Sequence, residues 1–347
     1  MKAWVLTAPG TEQPLSLHDR ALPQPGAGEV LVKLRAASLN YIDYAMINLA
    51  RLRADFAPYI PGLDGAGVVA AVGEDVPDWQ PGEAVVYNPW VICGRCEACD
   101  TGLYKDCPSG HLVARYFGGE SEGAFAEYIV VPARNLVAMP AHLSFAEAAA
   151  LPTVLATAWQ QVVERGAIRE GDTVLIQGIG SGVSLAALQL AVALGGRVIV
   201  TSSSAEKLKR ALAMGAGAGI NYRTEDVVKR VLELTHGRGA DLVVDNAGKT
   251  SLPASVQAVA NRGRILTAGA TSGANVAIDL WSLIEKQAAL IGVTSQDADL
   301  GDAMAFVAER KLVPPVTAYP FDQLPSALEL MGRGAQFGKI VLEVALS

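Results

Sequence analysis

The rhythm of apolar and polar positions changes near residue 150. Before that point, short apolar runs are broken by Gly and Pro. Examples are Glu29-Val30-Leu31-Val32-Lys33-Leu34, Gly67-Val68-Val69-Ala70-Ala71-Val72-Gly73 and Ala126-Glu127-Tyr128-Ile129-Val130-Val131-Pro132. With Met1-Lys2-Ala3-Trp4-Val5-Leu6-Thr7 as an opening strand, they predict an all-β or α+β module. From about residue 152 strands alternate with Ala/Leu-rich helices: strand 173–176, helix 183–194, strand 197–201, helix 205–214, strand 240–245, helix 252–260, and strands 263–268 and 288–294. That alternation predicts an α/β unit with a doubly wound parallel sheet. The chain then returns to strand texture and ends in Gly338-Lys339-Ile340-Val341-Leu342-Glu343-Val344.

Length and charge narrow the class. At 347 residues the chain has room for two domains. Its 28 Lys+Arg against 35 Asp+Glu, a net charge of −7, argue against nucleic acid as a partner. A chain that is 51% apolar and 18% charged is not a disordered one. No apolar run reaches the length of a membrane span, and no hydrophobic signal core follows the N-terminus. The expectation is a cytoplasmic protein with no membrane or nucleic-acid partner.

All four cysteines, Cys93, Cys96, Cys99 and Cys107, fall in one short lobe. Clustered thiols in a chain of this size point to metal rather than disulfide. Four thiolates fill a tetrahedral zinc shell and leave no position for substrate, so one structural zinc per chain is expected.

A second feature is the turn Gly178-x-Gly180-Ser181-Gly182-Val183-Ser184, between a buried strand and a helix. Backbone N–H groups there, with the helix N-terminus, suit a pyrophosphate. The turn departs from G-x-G-x-x-G because Val183 stands at the sixth position. The end of the next strand selects the cofactor. NAD sites carry Asp or Glu there, whereas this chain has Thr201-Ser202-Ser203-Ser204 followed by Lys207. Hydroxyls and a cation suit a 2′-phosphate, so NADP(H) is expected; the Ser run can also cap the following helix.

These residues together resemble the medium-chain dehydrogenase/reductase superfamily over essentially the whole chain. The cysteine lobe and the Gly-rich turn are joined by Gly62-Leu63-Asp64-Gly65-Ala66-Gly67, Gly123-Ala124-Phe125-Ala126-Glu127-Tyr128, Ile220-Asn221-Tyr222-Arg223 and Phe337-Gly338-Lys339-Ile340-Val341. The resemblance implies a GroES-like catalytic domain at 1–150 and 295–347, with the zinc lobe at 93–107, and a Rossmann cofactor domain at 151–294. It implies a cleft for a small-molecule substrate between the two and a homodimer or homotetramer, to which the strand near 288–294 could contribute. It also implies cofactor contacts from Thr157, Gly180, Ser181, Gly182, Val183, Ser202, Ser203, Lys207, Tyr222, Asn246, Gly269, Ala270 and Lys339.

Departures from the family direct the chemistry. Zinc alcohol dehydrogenases carry a second, catalytic zinc, but here Asn40 stands at the first ligand position and Leu63 at the ligating histidine. No cysteine outside the lobe can complete a shell. In these details the chain is similar to the quinone oxidoreductase-like branch. Without a Lewis acid, reduction of an acceptor whose charge delocalises is the feasible reaction. Candidate catalytic residues are Asn40 and Tyr41, with Asp64 to orient them. The expectation is an NADPH-dependent reductase of quinones, enones or related activated carbonyls. The alternatives are a zinc-type alcohol or aldehyde dehydrogenase and a non-enzymatic NADPH-binding structural protein.

Overall fold

The computed structural model describes residues 1–8, 11, 12, 14–48, 58–116, 119 and 121–344. The chain divides into two compact units, Met1–Thr153 with Asp299–Ser347, and Val154–Ala298. Thr153 belongs with the first unit because its amide and hydroxyl both bond Asp64. Asp299 opens the other segment by capping the helix Leu300–Arg310, accepting the Asp302 N–H.

The first unit is built on the eleven-residue strand Glu29–Leu39, whose inward positions are fully buried. It pairs antiparallel with Asp64–Val72, Tyr128–Pro132 and Lys339–Glu343. Ala84–Tyr87, Leu136–Ala138 and Val316–Pro320 complete a seven-stranded sheet. Leu34, Leu39, Met46, Leu63, Tyr87 and Phe125 lie in the core between its layers, and each such side chain contributes about 1.5–3 kcal/mol by burial. The register Ile340↔Leu39 brings the start of the C-terminal strand to the end of Glu29–Leu39. Gly338 makes this approach possible: its φ is +101°, and a Cβ would lie 2.0 Å from the Pro315 carbonyl oxygen.

The second unit is a six-stranded parallel sheet in the order Ala218–Asn221, Arg197–Ser202, Thr173–Ile176, Ala240–Val244, Val259–Thr267, Ala289–Gly292. The first strand in sequence, Thr173–Ile176, is central, and the order reverses beside it; ligands bind at such a switch point. Elements that escape the apolar rhythm of the sequence include the four-residue strand Ala218–Asn221 and the helices Pro152–Trp159, Val227–Leu234 and Leu280–Lys286. The helix expected over 252–260 stops at Ala258, because Val259 already pairs with Ala240 before a register shift. Among the described residues, no helix is long and apolar enough to cross a membrane.

Candidate active site

The end of Glu29–Leu39 leads into Asn40, which precedes the helix Tyr41–Asn48. The helix starts with a local bond in which Asp43 Oδ2 accepts the Asn40 N–H at 2.7 Å. Asn40 is 7% exposed and both ends of its amide are used. Nδ2 donates to Asp64 Oδ2 at 2.8 Å, and Oδ1 accepts from Lys339 Nζ at 2.6 Å. The ammonium also reaches Asp64 Oδ2 at 3.4 Å. On its other oxygen, Asp64 accepts the Thr153 hydroxyl at 2.6 Å and the Thr153 N–H at 3.2 Å. A fully buried carboxylate thus has four donors, one of them charged, which is what burial of that charge requires.

Asp43 is the second buried carboxylate of this cluster. Tyr116, fully buried, donates its hydroxyl to Asp43 Oδ1 at 2.8 Å. Burial pushes the Asp43 carboxyl up to about 7; the Asn40 N–H and the Tyr116 hydroxyl oppose this, and the nearby Asp64 reinforces it. Burial also lowers the Lys339 ammonium below the ordinary lysine range, against the pull of Asp64 and Asp43.

Of the expected catalytic residues, Asn40 and Asp64 therefore meet. Tyr41 does not join them: it is 44% exposed, its ring tilted against Tyr44 at 5.9 Å. Lys339, expected at the cofactor, bonds both Asn40 and Asp64, where strand register fixes it. Leu63 is an ordinary core side chain. Asp43, Thr153 and Tyr116 were missed as members of the cluster. The one local signal was the carboxylate three residues after Asn40, suited to accept its N–H.

In the second unit, the expected cofactor residues collect at the C-terminal ends of the strands. Ser181 caps the helix Gly182–Ala193, accepting the Ser184 N–H, and Val183 lies in its first turn. Gly178 and Gly180 have φ of +71° and +128°. A Cβ on Gly180 would meet Lys207 Cδ at 2.9 Å and Nζ at 3.3 Å, so that side chain runs along the turn. Ser202 is buried and accepts the Ser204 N–H, while Ser204 caps the helix that carries Lys207. Ser203 is half-buried, and Tyr222 is 50% exposed, its N–H donated to the Ser202 carbonyl. Asn246 exchanges two side-chain bonds with Gln161 and accepts the Ala268 N–H. Its carbonyl lies 3.1 Å from a Cβ built on Gly269, and Ala270 follows on the surface. Thr157 is buried in the helix Pro152–Trp159. A chain of buried bonds that the sequence did not reveal ties these loops: Gly178 N–H to Thr201, Thr201 to Gln177, Gln177 to Ser255, and Ser255 to Asp245. A glycine cradle with a lysine along it, at a helix N-terminus and a switch point, fits a dinucleotide.

The cysteine lobe also fits its ion. The four sulfur atoms lie within 4.8 Å of one another; Cys93 to Cys99 is 3.9 Å and Cys96 to Cys99 is 3.5 Å. Zinc–sulfur bonds of about 2.3 Å in a tetrahedron require sulfur separations of roughly 3.8 Å. The Cys107 sulfur accepts the Cys93 N–H at 3.4 Å. Arg134 donates to the Cys93 carbonyl, fastening the lobe to the sheet. Among the described residues this is the one group of three or more His, Cys, Asp or Glu side chains suited to a metal.

A dinucleotide cradle, a four-thiolate site and a buried polar cluster together define an oxidoreductase. Comparison with known proteins agrees. Residues 26–141 match the alcohol dehydrogenase GroES-like domain, and residues 182–309 match the zinc-binding dehydrogenase domain. A zinc-type alcohol dehydrogenase-like protein of Schizosaccharomyces pombe is 36% identical over 95% of each chain. A quinone oxidoreductase of Pseudomonas aeruginosa is 33% identical over 80% of this chain and 76% of its own. The crystal structure of an NAD-dependent alcohol dehydrogenase superposes with a TM-score of 0.93 at 40% identity, over 99% of this chain and 100% of that one. The chain belongs to the medium-chain dehydrogenase/reductase superfamily, with its GroES-like and Rossmann domains. It is an NAD(P)-dependent oxidoreductase.

Proposed function

We propose that this protein reduces quinones, enones or related activated carbonyls with NADPH, without a catalytic zinc. The observation that carries the reading is the cluster at Asn40. Where the zinc enzymes have thiolate and imidazole ligands, this chain has an amide, a leucine and a carboxylate whose oxygens already accept from Asn40, Thr153 and Lys339. That cluster offers hydrogen-bond donors and one fixed cation. Donors of this kind suit an enolate or phenolate, whose charge is spread over a conjugated system, better than a localised alkoxide.

When bound, the reduced cofactor would supply hydride. Ser202, Ser203 and Lys207 would hold its 2′-phosphate, and the turn at Gly178–Gly182 its pyrophosphate. Cys93, Cys96, Cys99 and Cys107 would hold one zinc per chain, a closed site whose contribution is to folding. The protein would act as a homodimer or higher oligomer in the cytoplasm.

The test is NADPH and NADH oxidation across quinones, enones, ketones and aldehydes, with zinc measured on the same preparation. Turnover of quinones or enones, at least tenfold better with NADPH than with NADH, is expected. Lys207→Ala is expected to erase the NADPH preference by weakening NADPH alone. A second zinc required for alcohol oxidation would sink the reading.

A further inference from the structure

The cluster contains one group that hydride transfer to a carbonyl substrate calls for and that the reading above leaves unassigned, a proton donor. We propose that Lys339 is the general acid of the reaction, donating the Nζ proton to the substrate oxygen; this rests on the reductase reading. The ammonium is fixed rather than mobile. Asn40 Oδ1 and Asp64 Oδ2 hold two of its N–H groups at 2.6 and 3.4 Å. Among the described residues, those bonds leave the third N–H for a substrate. Lys339 is 5% exposed and Asn40 7%, so a reacting oxygen at the ammonium would be largely screened from bulk water.

The chemistry balances. Hydride, with its electron pair, comes from the reduced nicotinamide, which is oxidised as the acceptor is reduced. An N–H bond of Lys339 breaks as the substrate O–H forms, and the neutral amine recovers its proton from water. Lysine is suited to this only when its acidity is brought toward the working range. Burial acts in that direction on Lys339, and the two carboxyl groups near it oppose the shift: Asp64 on the strand Asp64–Val72 and Asp43 on the helix Tyr41–Asn48. The other titratable groups facing those carboxylates are the phenols of Tyr116, bonded to Asp43, and of Tyr87 and Tyr59, both buried nearby.

Three proteins decide the matter: wild type, Lys339→Met, and Lys339→Arg, which keeps the charge but yields its proton poorly. Each is assayed for NADPH oxidation with a saturating quinone or enone across pH, and for NADPH binding by fluorescence titration. We expect both variants to bind NADPH within threefold of wild type. Lys339→Met should lose at least a hundredfold in kcat and Lys339→Arg at least tenfold, the range a positioned acid commonly supplies. Wild-type kcat should fall as pH rises through one ionisation that Lys339→Arg lacks, and a small primary amine should restore part of the Lys339→Met turnover. If Lys339→Met does not fold, the arginine variant and the wild-type profile carry the test alone. Turnover within threefold of wild type with the alkaline limb retained would overturn the assignment. So would NADPH binding weakened as much as turnover, which would make Lys339 a cofactor contact. If the wild-type protein is inert with every acceptor, the reductase reading falls and the assignment falls with it; an active wild type with active variants removes the assignment alone.

Discussion

Two carboxylates sit side by side in this cluster, and they are held differently. Asp64 has a lysine, an amide, a hydroxyl and a backbone N–H; Asp43 has one N–H and one phenol. Burial therefore wins at Asp43 and lifts its carboxyl from 3.8 to about 7. A folded-state value above the unfolded one means that the stabilisation is complete below pH 3.8 and is lost as pH rises through 7. Between pH 5 and pH 8 that loss is about 2.5 kcal/mol. Asp43→Asn removes the ionisation, so the stability of wild type relative to this variant should decline by about that amount across the interval. Urea unfolding at the two pH values measures it; a flat difference would mean that Asp43 is already ionised at pH 5. The sequence marked Asn40, Tyr41 and Asp64 as members of the site and left Asp43 unmarked. A phenol is a more familiar donor than a first-turn carboxylate, and only the fold shows that the phenol faces outward. The bonds that Lys339 makes to Asn40 and Asp64 were hidden for a related reason. A lysine after glycine reads as a phosphate contact, and the register that brings it to Asn40 spans 299 positions.

At the scale of elements, the signals that could be read were local ones. Strand and helix periodicity in the second unit, the Gly-rich turn and the cysteine spacing all act within a few residues. The strand Ala218–Asn221 was too short and too Gly-rich to show a pattern. The buried Thr201–Gln177–Ser255–Asp245 chain lies on separate elements, and no sequence period links them. The cysteine lobe makes a sharp prediction at this scale. Its regular structure is one four-residue helix and one three-residue 3-10 turn, and the Arg134 bond to the Cys93 carbonyl and the Trp90 indole bond to the Tyr104 carbonyl at 2.9 Å tie it down beside the thiols. Removing zinc with a strong chelator, or changing Cys99→Ser, should lower the unfolding temperature by several degrees and expose the lobe to protease. It should leave NADPH binding within about twofold, since the cradle is in the other unit. Loss of NADPH binding on chelation would contradict a purely structural ion.

At the scale of the whole molecule, the described residues include an extended apolar surface at a sheet edge. Ala289–Gly292 is the edge strand of the parallel sheet and carries no charge or proline to discourage pairing. Leu290 on that strand is 38% exposed, and on the helix just before it Leu280, Trp281 and Ile284 are 62, 71 and 60% exposed. A single exposed leucine is ordinary, but four large apolar side chains in eleven positions beside an open strand form an interaction surface. An edge strand paired antiparallel with its own copy about a two-fold axis satisfies the unpaired backbone groups and buries the same patch on both sides. If the protein is the homodimer proposed above, this strand is where a second copy of the chain would pair. Trp281→Glu with Ile284→Glu places two like charges in each copy, four around the axis. The pair should convert a dimer, or split a larger assembly, into smaller species by sedimentation velocity at micromolar concentration. Fold should survive, because both side chains are exposed and neither belongs to the second unit's buried core. A wild-type protein that sediments as a monomer at 100 µM would remove the dimer and leave this patch to a different partner.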